Sequence, residues 1–190
     1  MDGCLQIQGG LLPLFGQVWQ GGQLIQIAPE LDRAIPGIQL LIAGGGNVFD
    51  ELKALANQSN QKLGRNCITM TGPRTDINEI VAAGDLFVGV SRAALEAMAA
   101  CKPVVLSGAQ GHTGLFCPEL LDKAVDTNFC CRTDPVATPE QLQADLLRAL
   151  ALSPDQAKDL GDYGRRVVQE RYSVHRMADD CLAVYDQVRR

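Results

Sequence analysis

Arg92 and Glu96 are the side chains whose types and spacing point most directly to chemistry. They are four positions apart, which puts both on one face of a helix. The run Val88-Gly89-Val90-Ser91-Arg92-Ala93-Ala94-Leu95-Glu96 reads as a strand, a tight turn and a helix start, with Ser91 as the cap. Unpaired N–H groups at a helix start favour an anion. A cation in that first turn opposes the helix dipole by about 0.3–1 kcal/mol, so Arg92 stands against its local preference, as it would if an anionic ligand met it there. A carboxylate such as Glu96 can accept two hydrogen bonds from a vicinal diol, such as that of a ribose. The competing reading is a surface ion pair, although Arg before Glu is the weaker order.

Three more segments supply candidates. Gly44-Gly45-Gly46 follows an apolar run and lacks the G-x-G-x-x-G spacing of a dinucleotide fingerprint, so it suits a turn that lets backbone approach a ligand or a helix. Thr71-Gly72-Pro73-Arg74 ends the next strand; Arg74 either flanks a bound base or is a solvated loop arginine. His112 lies in the glycine-rich stretch Ser107-Gly108-Ala109-Gln110-Gly111-His112-Thr113-Gly114, read as a loop at the mouth of an open α/β crevice. No Asp-x-Asp pair and no C-x-x-C occurs, and His112 and His175 are the two histidines, so no metal site is expected.

These residues need elements to position them. Ile38–Ala43, Cys67–Met70, Asp85–Val90 and Pro103–Leu106 are short apolar runs of strand type. Between them lie helical spacings over Val48–Lys62, Ile77–Ala83 and Arg92–Ala100; Asp76 with Glu79 suggests a capping box for the second. Strands alternating with helices imply an α/β fold, a Rossmann-like doubly wound parallel sheet of about six strands covered on both faces. Leu11–Phe15 is a candidate first strand that Pro13 assigns to an edge or a loop, and Gln23–Ala34 a helix interrupted by Pro29. Thr127–Arg132 is a candidate further strand with the Cys130 and Cys131 thiols on opposite faces. Thr138-Pro139 and Ser153-Pro154 mark helix starts, and Ser173 a third. Residues 138–190 thus read as a helical tail closing over one edge or face of the sheet. The chain reads as a single domain over 1–190, with 1–23 atypical or poorly ordered.

Composition narrows the function classes. With 17 basic against 22 acidic residues the net charge is −5, which argues against a nucleic-acid binder. Aromatics are 5%, too few for base-stacking platforms. Seven scattered cysteines make a poor disulfide framework and suit a reducing cytoplasm. No apolar run reaches the ~18 residues of a membrane helix, and the N-terminus lacks the basic residues of a signal peptide.

Glu96-Ala97-Met98-Ala99 followed by Lys102-Pro103-Val104-Val105 resembles the donor-site segment of group-one glycosyltransferases of the GT-B fold. Asp85–Val88, Leu41–Gly46, Thr71-Gly72 and Glu170–Ser173 resemble further segments of that family, in order, between about Leu24 and Tyr185. The resemblance implies the C-terminal half of such an enzyme, which binds a nucleoside-diphosphate sugar and transfers the sugar to an acceptor. It implies that Glu96 holds the ribose hydroxyls and that the turn before its helix faces the diphosphate. Together with the residues singled out above by position, the candidate donor-binding set is Ser91, Arg92, Glu96, Gly44, Gly45, Gly72, Arg74 and His112. Two departures stand out. Val88 replaces the glutamate often found eight positions before the ribose-binding one, and Gly16–Gln26 has neither the Arg nor the Lys that usually grips the diphosphate. Either Arg92 takes part of that role, or donor binding is weak, or the N-terminal stretch is not native-like. The acceptor-binding N-terminal domain is absent, so the chain is expected to be inactive alone. No cofactor is expected, and peripheral membrane contact of the full enzyme stays open. A non-catalytic nucleotide-sugar or partner module, and a sugar-nucleotide epimerase-like domain, are the alternatives.

Overall fold

A computed structural model of the chain describes residues 11–15 and 18–189, with side chains from 21 onward. Six strands form one sheet: β1 (Leu11–Phe15), β2 (Gln39–Ala43), β3 (Ile68–Gly72), β4 (Phe87–Gly89), β5 (Val104–Gly108) and β6 (Gly111–Leu115). Their order is β3-β2-β1-β4-β5-β6. The first five are parallel, and β6 runs antiparallel to β5. The order reverses between β1 and β4, and ligands of doubly wound sheets sit outside the strand ends at that point.

The helices are α1 (Val18–Ala34), α2 (Phe49–Leu63), α3 (Ile77–Ala83), α4 (Ser91–Ala99), α5 (Leu121–Asp126), α6 (Pro139–Leu150), α7 (Pro154–Arg171) and α8 (Val174–Val188). Alternation along the strands splits the core into two layers. Val88 and Val105 join Leu24, Leu31 and Leu142 in the layer beneath α1, α2 and α6. Phe87, Val104 and Leu106 join Val81, Met98 and Val167 in the layer beneath α3, α4 and α7. Burial on both faces explains the continuous apolar runs of the sequence.

Several expectations need correction. Leu11–Phe15 is no edge or loop: it pairs along its length with β2 and touches β4 at Leu14–Val88. That single pair on the β4 side is in keeping with a strand whose centre, Pro13, has no N–H to give. The expectation for 1–23 is otherwise partly untouched, since residues 1–10, 16 and 17 lie outside the described residues, as does Arg190. The glycine-rich stretch around His112 is not a loop but the end of β5, a two-residue turn at Ala109-Gln110 and β6. Thr127–Arg132 is not a strand; it is the irregular segment after α5, with Asn128, Phe129 and Cys131 at positive φ. Asp76 makes no side-chain cap on α3, because its carboxylate is held by Arg74.

The tail residues 138–190 do not close over one face. α6 packs beside α1 and α7 beside α4, on opposite faces. Their starts are as read from sequence. Thr138 and Ser153 each complete a capping box, with Gln141 and Gln156 respectively, and a proline follows each.

One ion pair ties the rim of the sheet. Arg65 Nε donates to Asp32 Oδ1 at 3.0 Å, and the Arg65 guanidinium beside Asp32 holds that carboxyl below its ordinary value. A carboxyl with a lowered folded pKa contributes stability above its unfolded value near 3.9, and loses it as pH falls through the folded one. Asp32→Asn is therefore expected to lower the melting temperature at pH 7 and to flatten its decline below about pH 4. Parallel acid melts of variant and wild type would contradict this.

Candidate functional site

β3 and β4 are separated by two strands, but α3 and α4 pack on the same face of the sheet, and a cleft of about 600 Å³ runs between these two helices. Arg92, Glu96, Ala99 and Ala100 form its α4 wall; Thr75, Ile77, Asn78 and Val81 form the other. Lys102 Nζ donates to the Ala82 carbonyl at 2.8 Å, which fastens the last turn of α3 at the foot of the cleft. A cation suits that helix end.

Arg92 Nε lies 3.4 Å from Glu96 Oε1, with the two side chains 90% and 48% exposed. An ion pair so wetted contributes at most about 1 kcal/mol, so neither residue is held there for stability. The pair does not cancel the functional reading, because both side chains face an open cleft. Ser91 is not the side-chain cap that its position suggested: Val90 is the N-cap, no side chain caps α4, and Ser91 itself sits at φ 57°. Its N–H donates to the Phe129 carbonyl at 2.8 Å. The following amides of the first turn, from Arg92 on, have no intrahelical acceptor.

Gly44, Gly45, Gly72 and Arg74 come together in two stacked turns after β2 and β3. Gly44 N–H donates to the Gly72 carbonyl at 3.0 Å. A Cβ on Gly45 would lie 2.8 Å from Pro73 Cγ, so glycine is required for that stacking. Gly72 has φ +71°, open to glycine without strain. Arg74 Nε donates to Asp76 Oδ1 at 2.7 Å, and the guanidinium keeps the Asp76 carboxyl below its ordinary value. None of these four residues lines the cleft, whose walls come from α3, α4 and the flanking Thr75 and Ala100.

His112 is not brought to this cleft. Its Nε2 lies 2.7 Å from Asp145 Oδ2, on α6, and its side chain is 10% exposed. Its Nδ1 is buried with no partner. β6 and α6 carry the pair on the face away from α4. Val88 is buried in β4 beneath α1 and α6, so no carboxylate replaces the missing glutamate there.

Sequence reasoning missed Thr75, Ile77, Asn78 and Val81. Their signal was available in principle: they follow the Gly72 turn at helical spacing, on the face of α3 that meets α4. Among the described residues no cluster of three His, Cys, Asp or Glu side chains could hold a metal ion, and no helix is long and apolar enough to cross a membrane.

Known proteins share this fold. The EpsD protein of Bacillus subtilis (strain 168) is 27% identical over 174 residues, covering 86% of this chain and 42% of EpsD. TarM of S. aureus, solved as a variant in complex with fondaparinux, α-GlcNAc-glycerol and UDP, superposes with a TM-score of 0.68 at 17% identity, over 94% of this chain and 36% of TarM. Anabaena Alr3699/HepE in complex with UDP gives 0.67 at 21% identity, over 95% of this chain and 49% of HepE. The chain thus spans less than half the length of these three proteins. A family model described as "Glycosyl transferases group 1" matches residues 18–151. With that match over most of its length and a Rossmann-like sheet of GT-B type, the chain belongs to the group 1 glycosyl transferases.

Proposed function

We propose that the α3–α4 cleft binds a nucleoside-diphosphate sugar and that this chain is the C-terminal, donor-binding half of a two-domain glycosyltransferase. The observation that carries the reading is the exposed Arg92–Glu96 wall beside the crossover of the sheet, where stability gives no reason for either side chain. TarM and HepE, with the same fold, were solved in complex with UDP, which supports a nucleotide ligand. In this reading Glu96 accepts hydrogen bonds from the ribose diol, and the base lies against Ile77 and Asn78. The diphosphate meets Arg92 and the first-turn amides of α4. Transfer breaks the bond from the anomeric carbon to the diphosphate, with oxocarbenium character by analogy with glycoside hydrolysis. The negative charge that builds on the departing diphosphate is met by preorganised amides and a cation, so the proposed donor site works without a metal. The proposed compartment is the cytoplasm, supported by six free thiols among the described cysteines.

The helix α8 supports a second half. Val174, Met177, Cys181, Val184 and Val188 recur every three or four positions, and all are exposed. Beside them a cavity of about 560 Å³ opens between Tyr172, Met177 and Tyr185. An apolar stripe on one face of a helix is built to be covered. We assign its cover to the acceptor-binding half, and with it the need of that half for turnover. Titration of the 190-residue chain with UDP and with GDP is expected to give saturable one-to-one binding of at least one. Binding of neither overturns the donor-site reading.

A further inference from the structure

The turn that starts α4 is held from outside the helix. Ser91 adopts φ 57°, a left-handed conformation that residues with a Cβ take only under constraint. Its N–H is fixed at 2.8 Å by the carbonyl of Phe129. The segment that presents this carbonyl is itself constrained, with Asn128 at φ 52°, Phe129 at 57° and Cys131 at 58°. Thr127 holds the segment together: its Oγ1 accepts from the Cys131 N–H at 3.3 Å and donates to the Ala124 carbonyl at 3.3 Å. The Phe129 N–H adds a bond of 2.7 Å to the same carbonyl. The Phe129 ring is fully buried, edge-on to Phe116 at 5.5 Å and to Tyr172 at 5.7 Å between centroids. Strain of this density persists only where surroundings over-determine it, and it gathers at ligand clamps.

The peptide planes that follow Ser91 turn with its φ. An extended Ser91 would swing the amides of Arg92 and Ala93 away from the cleft rim. We propose that Thr127 and Phe129 are positioning residues for the donor diphosphate: through the Phe129 carbonyl they keep Ser91 left-handed and so hold the first-turn amides of α4 on the phosphate side. Neither touches the ligand. The proposal rests on the donor-site reading above and names what sets its geometry.

The test uses the 190-residue chain with UDP and uridine as probes, in wild type, Thr127→Val, Thr127→Ser, and Thr127→Val combined with Ser91→Gly. Thr127→Val is expected to weaken UDP binding about tenfold while uridine binding stays unchanged. Thr127→Ser keeps the hydroxyl and is expected to bind like wild type. Adding Ser91→Gly to Thr127→Val is expected to restore UDP binding, because glycine takes positive φ unaided. Equal weakening of UDP and uridine, or no restoration by glycine, overturns the proposal. If Thr127→Val does not fold, Ser91→Val in the otherwise intact chain replaces it, with selective UDP loss expected and equal loss contradicting. A wild type that binds neither UDP nor GDP, or a Glu96→Ala variant that binds its nucleotide normally, refutes the donor site itself; where GDP is the one bound, GDP and guanosine replace UDP and uridine. A Glu96-dependent site indifferent to Thr127 refutes the positioning role alone.

Discussion

Glu96→Ala is expected to weaken UDP and uridine binding about a hundredfold while leaving the melting temperature within a degree or two of wild type. The size follows from two charge-assisted hydrogen bonds to a ribose diol, each among the stronger kinds a protein makes. The intact stability follows from exposure: the carboxylate is half open to water, and its partner Arg92 is almost wholly so. Such a pair contributes little to folding. Glu96→Gln keeps the shape and one acceptor, and is expected to fall between. Arg92→Ala is expected to lower UDP affinity but not uridine affinity, since only the diphosphate meets the cation. Titration calorimetry with both ligands, beside thermal melts, separates these outcomes; unchanged affinity in Glu96→Ala removes that residue from the site.

A large stability effect is expected at Gly161→Ala. On α7, a Cβ at Gly161 would lie 2.1 Å from the Cys101 carbonyl oxygen, and one at Gly164 would lie 3.2 Å from Met98 Cγ. The two glycines let α7 rest on the C-terminal end of α4. The obstacle at Gly161 is backbone rather than a flexible side-chain end, so the helices must separate. Overpacking of that kind costs about 3 kcal/mol, which in a domain this size lowers the melting temperature by about 6–12 °C. Because α7 supports the helix that carries Glu96, UDP affinity is expected to fall with it. Differential scanning calorimetry reads the first effect; an unchanged melt would show that α7 is not seated on α4 as described.

The sheet and its parallel βαβ units were legible because the strands are buried on both faces and read as plain apolar runs. Thr138 and Ser153 were legible because a cap side chain, a following proline and an amide three positions on act within one turn. What failed depended on partners distant in sequence. Asp76 has the type of a cap, yet Arg74 takes its carboxylate. Ser91 has the type of a cap, yet Val90 is the N-cap and the Ser91 N–H goes to the Phe129 carbonyl, from a segment that looked like a strand. His112 looked like a crevice residue, yet β6 turns it toward Asp145 on α6. At the cleft, Arg92 and Glu96 were visible because charged residues interrupt an apolar helix start. The α3 wall was not, because Ile77 and Val81 carry the same signal as any core-facing pair.

The most direct measurement is a crystal structure of the chain soaked with UDP. Density is expected in the α3–α4 cleft, with the Glu96 carboxylate within hydrogen-bond distance of the ribose hydroxyls and the diphosphate at the Ser91–Arg92 turn. UDP bound elsewhere, with Glu96 still turned to Arg92 and solvent, would contradict it.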